Sequence, residues 1–391
     1  MSYKIISQDT GNLVLERKSA GWMMFAFIMG GALFFGIGLV INSMNWGDSP
    51  APLLFRILFP TMGLGAILAG INIPRIHRKT IPELIIFDNH KGVVSVHMSK
   101  DGDQVGYIRY EEIEKFDLQV EERRSSSTSS GKLSSSTTYY YHVLLRKKNG
   151  SEWYLIESGS KKFAEEMIQR LRTSVHLEVP CSLRISTVLT DKLIKEESRS
   201  KTILKWENKV SPFAFLFILL FAVVFLSVLY SIVVENNRFN DFDAFLYLIA
   251  GFIFCVFCFV MFTVIRKMIK NASSLYKIVI DKDNFEYHEL TKTSETIKKT
   301  KSIALKDIYG ISYSFIRGKN DGNTGLSVLT KNDYDRIQSY KNKPLQAVKD
   351  FFTGKDTSVK LDITALNPVE CLQLETWLQE VIKRKIEAGQ V

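Results

Sequence analysis

Hydrophobic residues concentrate in four long stretches that carry almost no charge, with polar segments between them. A helix that crosses the hydrocarbon core of a bilayer needs about 20 consecutive apolar residues. Residues 22–41, 52–73, 212–234 and 244–265 meet this length, and each pair is separated by a short loop. The pattern therefore predicts four transmembrane helices in two hairpins. The first stretch has no small-residue cleavage site, so we expect it to be retained rather than removed as a signal peptide.

Charged residues flank the predicted hairpins unevenly. The loop after the first stretch contains Asp48 and no Lys or Arg, and the loop after the third has three acidic residues against Arg238. The positive-inside rule then predicts a multi-pass inner-membrane protein with both termini in the cytosol. Basic residues on the opposite flanks are expected to meet the anionic headgroups of the bilayer. These residues are Arg75, Arg78, Lys79, Arg266, Lys267 and Lys270.

The polar segments of the two halves repeat one order of elements. Residues 84–88 and 276–281 are apolar strand-like runs that end at Asp88 and Asp281. Aspartate favours a turn there because its side chain bonds the local backbone. In the first half two further β-prone runs, 141–145 and 153–156, are separated by the hairpin signal Lys147-Lys-Asn-Gly.

Each half is predicted to end in an amphipathic helix. Ser160 is the expected N-cap of the first helix, and Asn367 with Pro368 opens the second. Apolar residues then recur at helical spacing. They are Phe163, Met167, Ile168 and Leu171 in the first half, and Leu374, Trp377, Leu378 and Val381 in the second.

Three segments of the first half carry a resemblance: 85–94, 108–113 and 140–146, followed by the helix from Phe163. This order resembles the bacterial pleckstrin-homology-like (PH-like) domain family in its membrane-anchored form. The resemblance implies an α+β membrane protein in which each hairpin precedes a small β-barrel or sandwich with a C-terminal helix. It also implies a binding or scaffolding role, and it transfers no site residue. The second half departs from the pattern after Phe315.

These patterns divide the chain into six parts. They are an N-terminal strand segment (1–21), a first transmembrane hairpin (22–73), a first PH-like domain (74–200), a linker strand (201–211), a second hairpin (212–265) and a second PH-like domain (266–391) with an insertion at 318–352. The run 125–138 consists almost entirely of Ser and Thr and cannot bury apolar area. We therefore predict that it forms a flexible loop.

The first hairpin is rich in small residues. Ala32 with Gly36, and Ala66 with Gly70, have the small-xxx-small spacing that lets helix backbones approach closely. Cys255 and Cys258 lie within an apolar stretch, where two packed hydrophobic residues explain them better than a metal site. The four cysteines suggest no disulfide framework.

Candidate chemistry is sparse. The six histidines have no metalloprotease spacing, and neither a serine-hydrolase elbow nor a phosphate-binding loop occurs. We therefore predict no catalytic residue, no metal and no cofactor. The net charge of +10 is partly explained by the flanks of the apolar stretches, so nucleic acid is not an expected partner.

The sequence thus predicts a membrane-tethered scaffold that presents tandem PH-like domains to a protein or membrane partner. An alternative is an oligomeric pore, or a membrane-perturbing effector, gated through the cytosolic domains. A third interpretation is a regulatory sensor of lipid headgroups. Self-association into a homo-oligomer is expected for the pore and compatible with the others.

Overall fold

The computed structural model describes residues 3–9, 11–18, 21–43, 51–100, 104–129, 132–183, 189–198, 200–207, 263, 265–266, 274–315, 325–340, 358–363 and 365–389. These residues fall into two compact units. One unit contains 1–18, 78–207 and 275–391, and the other contains 19–77 and 208–274.

The first half of the chain builds two antiparallel sheets and a helix. Its five-stranded sheet has the order β1-β2-β3-β4-β5, and its three-stranded sheet has the order β6-β7-β8. The elements are β1 (Tyr3–Gln8), β2 (Asn12–Arg17), α1 (Gly21–Ser43), α2 (Ala51–Thr80), β3 (Leu84–Asp88), β4 (Val93–His97), β5 (Val105–Arg109), a 3₁₀ turn (Tyr110–Glu112), β6 (Ile113–Ser129), β7 (Lys132–Lys147), β8 (Glu152–Ser158) and α3 (Lys161–Ser174).

The second half repeats this order. Its sheets run β13-β12-β11-β10-β9 and β14-β15-β16. The elements are β9 (Ile194–Glu197), β10 (Thr202–Glu207), β11 (Ser274–Ile280), β12 (Asn284–Thr291), β13 (Ile297–Ala304), a 3₁₀ turn (Leu305–Asp307), β14 (Ile308–Ser314), β15 (Gly325–Thr330), α4 (Lys331–Tyr340), β16 (Val359–Leu361) and α5 (Pro368–Gly389).

The same kind of hydrogen bond, from backbone N–H groups to an aspartate side chain, forms a turn in each repeat. Asp88 Oδ1 accepts the N–H groups of His90 and Lys91 at 3.0 Å, and Asp281 Oδ1 accepts two N–H groups at 2.8 and 2.6 Å. Both predicted turns are therefore confirmed. After the next two strands, each repeat makes a 3₁₀ turn that begins at a buried residue, Tyr110 or Leu305.

The helix caps were also predicted correctly. Ser160 precedes α3 and accepts the N–H of Phe163, while Asn367 precedes α5. Asn367 Oδ1 accepts the N–H of Glu370 at 2.9 Å, and Glu370 Oε2 accepts the N–H of Asn367 at 2.7 Å. This reciprocal pair is a capping box, which satisfies two donors that the helix start would leave unpaired.

The two repeats join edge to edge. Tyr154 in β8 donates its N–H to the carbonyl of Phe315 at 3.0 Å, and Phe315 donates to the carbonyl of Glu152 at 2.9 Å. Phe315 directly follows β14, so this isolated parallel bridge places the end of β14 beside β8 and links the two three-stranded sheets. Helix α5 also packs against β5 of the first repeat, where a Cβ on Gly106 would lie 2.9 Å from the Leu372 side chain.

The predicted four-helix membrane fold is wrong for the described chain. Among the described residues only α1 is long and apolar enough to cross a membrane, a test that a signal sequence or a core helix also passes. Helix α2 spans 30 residues but contains Pro60 and Pro74 and ends in a basic segment. The predicted helices at 212–234 and 244–265 lie outside the described residues. The multi-pass inner-membrane assignment is therefore corrected as well.

The sheets correct two further expectations. Each of the four described sheets is antiparallel within itself and none of them closes, so the predicted barrel is not observed. In residues 125–129 and 132–138, which the structure describes, the Ser/Thr run is strand rather than loop, since Ser125 pairs with Ser136 and Ser127 with Ser134. Part of the predicted insertion 318–352 is β15, which lies between β14 and β16.

The packing of α1 on α2 includes the predicted Gly70, but on α1 it uses Gly31 and Gly38 in place of Ala32 and Gly36. Ala32 is exposed, and a Cβ on Gly36 would meet nothing within 4 Å. A Cβ on Gly31 would lie 2.7 Å from the carbonyl oxygen of Gly63, and one on Gly38 would clash with the Pro60 ring. Gly70 is buried in this contact, whereas Ala66 is only half-buried. The contact on α1 therefore recurs after seven residues, not four.

Candidate binding site at the root of the long hairpin

The hairpin formed by β6 and β7 extends well past its neighbouring strand. Strand β7 pairs with β8 only over Tyr141–Arg146, whereas it pairs with β6 along almost its whole length. Beyond Tyr141 the two strands therefore continue as a two-stranded ribbon. We call the segments 120–123 and 139–142, where the ribbon leaves the sheet, the hairpin root.

One face of the hairpin root exposes apolar side chains. Helix α3 covers this face over Val143 and Leu145, which are fully buried, but the strands run on beyond the helix. Val120 is 52% exposed and Tyr139 is 49% exposed. The face therefore changes from protein core to open surface within a few residues.

The opposite face carries a cluster formed by the charged side chains of Glu121 and Arg123 and the ring of Tyr140. Successive residues of a strand point to opposite faces, so Glu121 and Arg123 share one. Arg123 donates two hydrogen bonds to the Glu121 carboxylate, both at 2.9 Å, and its guanidinium lies 4.1 Å from the centroid of the Tyr140 ring. Mainly through this bidentate pairing, the pKa of Glu121 is lowered and the pKa of Arg123 is raised.

His142 lies beneath this charged cluster. Its ring is fully buried, with Nε2 3.0 Å from Oε2 of Glu121 and the ring centroid 4.9 Å from that of Tyr154. A carboxylate–imidazole pair can transfer a proton when the second ring nitrogen faces a substrate. Here Nδ1 is buried and has no hydrogen-bond partner among the described residues. The pair therefore supports the sheet surface and offers no access to a substrate.

A second ionic cluster is buried where the repeats meet. Lys147 Nζ lies 2.8 Å from Oε2 of Glu375 and 3.3 Å from the carboxylate of Glu112. The other Glu375 oxygen accepts the Asn149 side-chain amide and the Tyr313 N–H, both at 3.1 Å. Burial opposes the charge on Lys147, but the two carboxylates outweigh it and raise its pKa. Burial raises the pKa of Glu375, which Lys147 counteracts.

The residues that the sequence singled out lie elsewhere. Arg75, Arg78 and Lys79 are exposed at the end of α2, and Arg266 is exposed in a short described helical segment. Lys267 and Lys270 lie outside the described residues. The described part of the chain contains no group of three metal-ligating side chains. Sequence reasoning missed the hairpin root, although Tyr139-Tyr-Tyr141 beside a Ser/Thr run was a signal for it.

Comparisons with known proteins do not assign the chain to a family, because no protein-family model matches it and no curated protein is significantly similar to it.

Proposed function

We propose that this chain is a binding and scaffolding protein without enzymatic activity, and that the hairpin root is where it contacts a protein partner. One observation carries the proposal: at the hairpin root Val120 and Tyr139 are exposed on one face of the strands, and Arg123 lies on the opposite face of the same strands. Tyrosine and arginine are enriched among the residues that dominate binding energy at protein interfaces. PH-like domains, which the chain resembles in sequence, have the same kind of role.

The connection between the repeats supports a scaffolding role. The buried pair Lys147–Glu375 and the hydrogen bonds between β8 and Phe315 unite two repeats that could otherwise move separately. A platform of this kind holds a binding surface in a fixed position. Rigid surfaces lose less conformational entropy on binding than mobile ones.

The reactive groups of the described chain favour binding over catalysis. Catalytic groups need perturbed pKa values and contact with a substrate. Cys371 is 1% exposed, and burial raises the pKa of its thiol, so its reactive thiolate is suppressed. Glu375 and Lys147 are each 2% exposed and face each other across the repeat interface.

Photo-crosslinking in the cells that make the protein tests the proposal. A photoreactive amino acid in place of Tyr139 should give a discrete protein adduct. The matched control is Tyr309, which is 54% exposed and lies in β14 of the second repeat. No adduct at Tyr139, or equal adducts at both positions, would contradict a binding site at the hairpin root.

A further inference from the structure

The strands β6 and β14 occupy the same position in the two repeats. Each directly follows the 3₁₀ turn of its repeat, β6 from Ile113 and β14 from Ile308. The pairing of each strand with its neighbour also shifts register within the first three residues. The two strands therefore align without a gap from these isoleucines onward. In this alignment Val120 of the first repeat is the equivalent of Phe315 in the second.

Phe315 is covered by the first repeat. Its backbone exchanges two hydrogen bonds with β8, and its ring centroid lies 5.1 Å from that of Trp153. Tyr313, two residues earlier, meets the same indole edge-on at 5.7 Å. Tyr313 is 2% exposed and Phe315 is 9% exposed as a result. An edge strand that carries one tryptophan therefore closes this part of the second repeat.

The equivalent part of the first repeat stays open. Leu118 and Val120 correspond to the two residues that Trp153 covers in the second repeat. Leu118 is half-buried and Val120 is exposed, whereas Phe116, earlier in the same strand, is buried. Exposure on β6 thus begins where the tryptophan covers β14.

The backbone edge beside Val120 is open as well. Strand β6 ends the order β6-β7-β8, and no described strand pairs with its outer side. Because both strands have the same register shift, the N–H and C=O groups of Val120 face this outer side, as those of Phe315 face β8. Unpaired edge groups can bind an added strand. In this recognition mode the main chain gives affinity and alternate side chains give specificity.

We infer that a protein partner adds an extended segment to this edge, parallel to β6, and places an aromatic side chain over Leu118 and Val120. The inference rests on the proposed function and states how the partner binds at the hairpin root. The parallel bridge between Trp153 and Phe315 is the model for the contact.

In that contact the residue before the tryptophan accepts the Phe315 N–H, and the residue after it donates to the Phe315 carbonyl. The partner segment bonds the backbone of Val120 in the same way. Tyr139 is exposed on the same face and offers its ring to the incoming aromatic side chain. Aromatic pairs stabilise a contact beyond the area that they bury.

A peptide with the sequence of residues 151–158, Ser-Glu-Trp-Tyr-Leu-Ile-Glu-Ser, carries this chemistry and serves as the probe. Fluorescence anisotropy of the labelled peptide measures its binding to the full chain. We expect saturable binding, and the peptide with Trp153→Ala should bind about tenfold or more weakly, because buried aromatic anchors dominate such interfaces. Val120→Asp in the chain should weaken binding of the unchanged peptide to a similar extent, since it places a carboxylate under the aromatic ring.

Ile297→Asp is the matched control, because Ile297 is exposed on β13, the edge of a different sheet. This variant should bind the peptide like the wild type. Thermal unfolding of Val120→Asp should also match the wild type, because Val120 is exposed, so that lost binding does not reflect lost folding. Equal weakening by the two variants would overturn the inference.

A photoreactive group at the Trp153 position of the peptide locates the bound segment. Its adducts should map to β6 around Val120. Adducts to Tyr313 or Phe315 would show that the peptide replaces β8 instead, and they would overturn the inference. Absence of binding, or equal binding of the two peptides, would do the same. A protein adduct at Tyr139 in cells, together with one of these results, would leave the proposed function standing and remove only the strand addition.

Discussion

Lys147 Nζ lies 2.8 Å from Oε2 of Glu375, although 228 residues separate them in the chain. Both side chains are 2% exposed, and one belongs to the first repeat while the other belongs to α5 of the second. An ion pair this deeply buried holds the two repeats in one relative position, because separating them would leave two charges to find new partners.

Removing either partner of this pair should destabilise the chain strongly. Lys147→Met leaves Glu375 buried without its cation, and Glu375→Gln leaves Lys147 with only Glu112. A broken buried pair costs about 3–5 kcal/mol. Chemical denaturation should detect this loss for Lys147→Met, and the double variant should be less destabilised than the sum of the single variants. Lys148→Met, at an exposed neighbouring position, is the control. Additive single and double effects would show that the two residues are not coupled.

The cap of α5 gives a second, smaller prediction. Asn367→Ala removes the acceptor for the Glu370 N–H and half of the capping box. Loss of an N-cap costs about 1 kcal/mol. Ser160→Ala, at the equivalent position before α3, should cost less because its hydrogen bond is longer, 3.4 Å against 2.9 Å. Denaturation midpoints of the two variants check the order, and an equal or reversed order would contradict it.

Local features of this fold were predictable from the sequence, and long-range ones were not. Asp88, Asp281, Ser160 and Asn367 act on backbone groups within a few residues, so sequence spacing alone revealed their roles. The partner of Lys147 depends on how two repeats dock, which no local pattern specifies. Lys147 was therefore interpreted only as part of a hairpin turn.

Two wrong predictions have physical causes of the same kind. The first hairpin has small residues on several helix faces, so spacing could not distinguish Ala32 and Gly36 from Gly31 and Gly38. Only the positions of Gly63 and Pro60 on α2 show which residues of α1 lie in the contact. The Ser/Thr run was predicted to be a loop because it cannot bury apolar area. Backbone pairing does not require buried side chains, so the strands continue through the described residues of this run.

Glu16 gives a pH prediction. Its carboxylate lies 2.8 Å from Lys4 Nζ and also pairs with Lys100, and the hydrogen bonds from these lysines lower its pKa from 4.5 to about 2. Because the folded pKa is lowered, the stabilising contribution is present above pH 4.5 and is lost as the pH falls towards 2. Carboxyl NMR titration should show a midpoint near 2 that rises towards 4.5 in Lys100→Gln. Lys91 pairs with Asp88 and serves as the control, because Lys91→Gln should leave the pKa of Glu16 unchanged.

The basic end of α2 gives the last prediction, on the expected contact with anionic headgroups. Arg75, Arg78 and Lys79 are all exposed there. Each basic residue near an anionic surface contributes about 1 kcal/mol, so replacing all three with Gln should weaken binding to anionic vesicles roughly 100-fold. Because the apolar α1 can bind lipid of any charge, the measured quantity is the ratio of flotation with anionic to flotation with neutral vesicles. The matched control replaces the exposed Lys161, Lys162 and Arg170 of α3, which removes the same charge. High salt should reproduce the effect of the α2 variant on the wild type. An equal loss in both triple variants would show that the net charge of the chain, and not this segment, determines binding to anionic vesicles.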